Sequence, residues 1–158
     1  MENSKSLCDH LVALLQGGQA YDTFEAVVGE VPADARGRVP ANAERSPWQI
    51  LEHIRIAQRD ILDFSRNQNG DYVEKAWPDD YWPKRPEPPT AASWNDSVRE
   101  FLKDRAEFEA LVAGPASDLY TPFPWGSGQT LLREVLLAAD HTSHHLGQMM
   151  IVTRLLTD

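Results

Sequence analysis

Apolar residues recur along this chain at the three-to-four spacing of helices, while the period-two alternation of strands is scarce. The pattern predicts an all-α fold. A first helix is expected from Ser4 to Gln16, with Leu7, Leu11, Leu14 and Leu15 on one side, and Gly17-Gly18 interrupts it. A short second piece carrying Phe24, Val27 and Val28 is expected to run to Val31, followed by a polar loop from Pro32 to Arg45. Ser46-Pro47-Trp48-Gln49 then reads as a helix start: Ser46 as N-cap, Pro47 at the first helical position, Gln49 closing a capping box. The helix it opens carries Ile50, Ile54, Ala57, Ile61 and Phe64 and is expected to reach Arg66.

Between Asn67 and Thr90 helical patterning stops. Five of the 11 prolines fall between Pro78 and Pro89, which excludes a helix there. Tyr72, Trp77, Tyr81 and Trp82 in the same stretch favour a loop packed on the helices over a free tether. A further helix is expected from Ser93 to Ala113, with Val98, Phe101, Leu102, Phe108 and Leu111 inward, stopped by Gly114-Pro115. The last is expected from Gln129 to Leu156 and is apolar around most of its circumference. Four main helices predict a helical bundle, and residues 1–158 suit a single domain.

Composition narrows the function classes. Lys and Arg total 15 against 24 Asp and Glu, a net charge of −9, which disfavours nucleic acid and anionic lipid as partners. Cys8 is the only cysteine, so no intrachain disulfide and no multi-cysteine metal site can form. No basic, apolar leader and no bilayer-length apolar run stands out, so a cytoplasmic protein is expected.

The chemistry concentrates in histidines. Three of the five lie in Asp140-His141-Thr142-Ser143-His144-His145-Leu146-Gly147-Gln148. Residues three or four apart share a helix face, so His141 can pair with His144 or with His145. The helical wheel separates the choices: His141 and His145 flank a stripe continued by Ala138, Val152 and Leu156, with His144 turned aside. We take His141 and His145 as the ligand pair and His144 as a flanking residue. Two buried imidazoles need partners, and His53, on the apolar-striped helix beside Ile50, Ile54 and Ala57, supplies a third nitrogen. Three histidines would leave positions open for water or substrate. His10, alone on the first helix, reads as an ordinary surface residue.

These motifs carry a resemblance. Ser46-Pro47-Trp48-Gln49-Ile50-Leu51-Glu52-His53, the run from His141 to Gln148, and Trp77-Pro78-Asp79-Asp80-Tyr81-Trp82-Pro83 make the chain similar to the DinB-like superfamily, which includes YfiT-type metal-dependent enzymes. The resemblance implies a four-helix bundle of up-down-down-up topology with a long proline-rich crossover between helices two and three. It implies a divalent metal on His53, His141 and His145, zinc or nickel foremost, iron or manganese as alternatives. Related members include bacillithiol-using transferases and a mycothiol-dependent maleylpyruvate isomerase.

The expected function is therefore metal-dependent hydrolysis, or transfer of a low-molecular-weight thiol to a small-molecule substrate. The alternative is a non-catalytic dimeric helical protein with a structural or vestigial metal, acting by partner binding. Gln148, one turn beyond His145, is a candidate to hydrogen-bond a bound water or substrate. Glu134 and Asp60 lie seven residues from His141 and His53 and are expected in salt bridges with neighbouring helices, with a role as base or as partner to a metal ligand held open for each. Asp140 and Glu52 read as surface charges, and Trp48 or Trp125 as pocket walls. Surplus apolar surface on the last helix, including Leu132, Leu136 and Met150, predicts a homodimer.

Overall fold

A computed structural model describes residues 2–157, in which five helices and no strands are found: α1 (Glu2–Gln16), α2 (Phe24–Gly29), α3 (Pro47–Ser65), α4 (Ser93–Ala113) and α5 (Leu131–Thr157). The start of α3 is the one the sequence specifies. The Ser46 hydroxyl accepts from the Gln49 N–H and the Gln49 side chain accepts from the Ser46 N–H, each at 3.2 Å, with Pro47 in the first turn.

Two boundaries differ from expectation. α2 ends at Gly29 and Val31 lies beyond it, buried in the core. α5 opens at Leu131 because Gln129 belongs to a turn, where its side chain accepts from the Ser127 N–H and its carbonyl from the Phe123 N–H. Thr130 then caps the helix through its hydroxyl, which accepts from the Arg133 N–H at 3.2 Å.

The core divides into two layers along the helices. One combines Ile50, Leu51 and Ile54 from the first half of α3 with Trp94 and Phe101 of α4, Leu146, Met149 and Val152 of α5, and Phe24, Val27 and Val28 of α2. The other combines Ile61 and Leu62 from late α3 with Phe108 and Val112 of late α4, Leu131, Val135 and Ala138 of early α5, and Leu11 and Leu15 of α1. Thus α3 and α4 run the same way and α5 runs against both. A pair of helices that run the same way in sequence succession needs a connection as long as the helices themselves, and the proline-rich stretch supplies it.

That connection is tied down at several points. Ser46 Oγ donates to the Pro86 carbonyl at 2.6 Å and Gln49 Nε2 to the Pro83 carbonyl at 2.9 Å. The Tyr81 hydroxyl donates to Asp60 at 2.6 Å. The loop is only partly covered all the same, with Val73 79% and Trp77 70% exposed. On α5, Leu132 and Met150 pack against the core layers, contrary to expectation, because the wheel leaves them at its edge. Leu136, Ile151 and Leu155 are the apolar residues that face outward. No helix among the described residues is long and apolar enough to cross a membrane.

The two helix caps differ in burial, and this gives a prediction. Ser46 is fully buried and serves two partners, whereas Thr23, which caps α2 by accepting from the Ala26 N–H, serves one exposed turn. Ser46→Ala is expected to cost about 2 kcal/mol, a cap plus the bond to the half-buried Pro86 carbonyl. Thr23→Ala should cost about 1 kcal/mol or less. Urea denaturation of both variants measures the difference.

Candidate metal centre

Two antiparallel helices bring the three histidines together. His53 lies two turns into α3 and is 1% exposed, while His141 and His145 lie one turn apart in α5. One ring nitrogen from each falls within 4.8 Å of the other two. The Nε2 atoms of His53 and His141 are 3.0 Å apart. That separation suits a hydrogen bond donated by His141, and it equally suits two ligands placed about 2.0–2.1 Å from one cation.

Each neighbour of the cluster has a recognisable effect. His53 Nδ1 donates to the Tyr81 carbonyl at 3.1 Å, so its Nε2 carries the lone pair toward His141. Trp82 stacks on His53 with ring centroids 3.7 Å apart and planes within 8°. Arg45 covers the Trp82 ring, its guanidinium carbon 4.9 Å from the ring centre. His145 Nδ1 donates to Gln148 Oε1 at 2.7 Å, which frees the His145 Nε2. Gln148 Nε2 in turn donates to His144 Nε2 at 3.1 Å. Gln148 therefore orients a histidine through its Oε1, and it also lines a cavity at the cluster. His144 is exposed and packs edge-on against the His145 ring, a flanking residue as the wheel indicates.

The two distal carboxylates depart from expectation. Asp60, 8% exposed, receives hydrogen bonds from the Tyr81 and Tyr72 hydroxyls and forms no ion pair among the described residues. Glu134, 2% exposed, pairs at 2.6 Å with Arg133, its neighbour on the same helix and not a residue of another. Both faced the wrong side of their helices for an interhelical bridge, because that side lines a cavity. Asp140 is exposed as expected, and Glu52 pairs with Arg55 at 2.8 Å. Trp48 is core, whereas Trp125 does wall a cavity. Tyr81 and Trp82 are the site residues that sequence reasoning missed. A backbone carbonyl leaves no trace in side-chain identity, and the aromatic density of the loop was the available signal.

Two cavities reach the histidines. The larger, about 670 Å³, runs from His53 and His141 along α3 and α5 to Asp60, Glu134 and Trp125. The second, about 570 Å³, touches all three histidines and is bounded by Arg45, Ile50, Trp82 and Val152. Trp77 lines both.

Burial sets the protonation of the cluster. It holds His53 down to about 4 and His141 to about 3, and it lowers His145 as well, with the mutual repulsion of the imidazolium forms adding to it for His141. All three are neutral at pH 7, the form that ligates metals. For a base whose folded pKa is depressed, the unfolded chain takes up protons first, so stability falls as acidity rises. Metal-free protein is expected to lose stability between about pH 6.5 and pH 4, by a few kcal/mol in total. His141→Gln should flatten that slope, as thermal unfolding across the pH range would show.

Comparison with curated proteins and comparison with solved structures each return no match. Comparison with family models does return one, across residues 16–149, which takes in His53, His141, His145 and the whole connection between α3 and α4. The chain belongs to the DinB superfamily.

Proposed function

We propose that the chain is a metal-dependent enzyme in which His53, His141 and His145 hold one divalent ion, zinc or nickel foremost, with iron or manganese as alternatives. The donor set supports this: three neutral imidazoles converge, and two of them are fixed by hydrogen bonds on their far nitrogens. The observation that carries the catalytic reading is that both cavities open onto the cluster. A structural metal site is closed by protein ligands, whereas a catalytic one keeps a face for reactants. When bound, the ion supplies Lewis acidity that lowers the pKa of a water or a thiol.

The chain's residues do the rest. The Tyr81 carbonyl and Gln148 keep His53 and His145 in one tautomer, and the Trp82 ring shields the buried side of His53. Two chambers favour transfer of a low-molecular-weight thiol to a small-molecule substrate over hydrolysis, because water needs no chamber of its own. The alternative, a non-catalytic protein with a vestigial metal, leaves both cavities without a purpose. The same reading takes α1, α3, α4 and α5 as an up-down-down-up four-helix bundle forming a single cytoplasmic domain. The outward Leu136, Ile151 and Leu155 of α5 support a homodimer.

Two measurements test this. Elemental analysis should find about one metal ion per chain, reduced at least tenfold in His53→Ala, His141→Ala or His145→Ala and retained in His144→Ala and His10→Ala. Equal loss in the His144 and His145 variants would break the assignment. Light scattering at micromolar concentration should give twice the 17.8 kDa chain mass, and a persistent monomer would remove the dimer.

A further inference from the structure

The larger cavity has a chemical polarity of its own. Asp60 lies seven residues beyond His53 on α3, and Glu134 lies seven residues before His141 on α5. Because the helices are antiparallel, both displacements point the same way, placing the two carboxylates about 10 Å along the cavity from the histidines at 1.5 Å per residue.

The charges that line this cavity do not cancel one another. Arg133 is committed to Glu134 Oε1, and Glu74 adds a further negative charge at the rim. Asp60 takes both tyrosine hydroxyls on Oδ2 alone, and among the described residues its Oδ1 receives no hydrogen bond. A carboxylate has room for about four donors, and Asp60 Oδ1 is not among the fully buried unpartnered atoms, so it stays open to a donor that enters the cavity. The Tyr72 and Tyr81 hydroxyls stay protonated and remain donors to Asp60, since burial and the Asp60 charge push both above the ordinary phenol range. Around Asp60 the walls are aromatic, with Tyr72, Trp77 and Trp125 lining the same space. Rings of that kind attract a desolvated cation through their faces.

From this juxtaposition we propose that the larger cavity binds a primary amine, with its ammonium group on Asp60 and its other end directed at the histidines. The proposal rests on the reading above only for which end of the ligand reacts; the amine subsite itself needs no metal. A cation held by the histidines would enforce the orientation, because it repels the ammonium and leaves the carboxylate end as the one favourable seat.

Phenethylamine, phenethyl alcohol and phenylacetate differ mainly in charge at one end and serve as probes. Calorimetric titration of the wild-type chain at pH 7 should show phenethylamine binding at least tenfold tighter than the alcohol, with phenylacetate weakest. Added salt should weaken the amine and leave the alcohol unchanged. Asp60→Asn, which can still accept both tyrosine hydroxyls, should abolish the preference for amine over alcohol. The wild-type series decides the matter even if that variant does not fold. Equal or tighter binding of the alcohol or the carboxylate, or no binding of the amine at millimolar concentration, would overturn the proposal. The titration is repeated on chelator-treated protein of measured metal content. Amine preference in a chain that never held metal would sink the metal centre and keep this subsite, and metal without amine preference would do the reverse.

Discussion

Everything at the site depends on the antiparallel packing of α3 against α5. An imidazole from early α3 meets two from the middle of α5 only because the helices run in opposite directions at the register set by the two apolar layers. Ile50, Leu51 and Ile54 surround His53 in sequence, and Leu146, Met149 and Val152 follow His145, so the same apolar contacts that form the core also aim the histidines. A rotation of either helix by one residue, about 100°, would move its ligand out of the cluster. The core is thus the positional frame of the site.

The same packing explains the protonation state. Three imidazoles in a low-dielectric layer cannot all become charged, and burial depresses them further. The cluster is held as neutral donors, and its three convergent groups include no carboxylate. Two buried carboxylates, Asp60 and Glu134, lie two helical turns down the larger cavity. The cavity therefore joins a Lewis-basic end to an anionic end, and a ligand lying in it meets two different kinds of polar chemistry.

Much of this was legible in the amino-acid sequence, for reasons that can be stated residue by residue. The Ser46–Gln49 capping box and the 3.6-residue periodicity are local, so they located α3 and α4 within a residue. His141 and His145 were separable from His144 because a helix wheel is geometry that sequence carries. His53 was readable from its apolar neighbours. What escaped was everything that depends on non-local contact. Asp60 and Glu134 read as salt-bridge partners because nothing local reveals that their face lines a cavity. The bond between Gln148 and His145 went unread because the two lie three residues apart on one helix, where several side-chain geometries are sterically open. The start of α5 was misplaced by two residues because Gln129 spends its hydrogen bonds on the preceding turn.

The connection between α3 and α4 holds to the helices largely through backbone oxygens: those of Tyr81, Pro83 and Pro86 accept from His53, Gln49 and Ser46. Every amino acid carries such an oxygen, proline included, so these anchors place almost no demand on which side chains the loop displays. Trp77, which takes part in none of these three bonds, can therefore be exchanged without removing the anchors that hold the loop to the histidines. The chamber walls are free to be rewritten while the centre stays as it is, which separates what the site recognises from how it reacts and lets one scaffold accept new substrates by changes in a single surface segment.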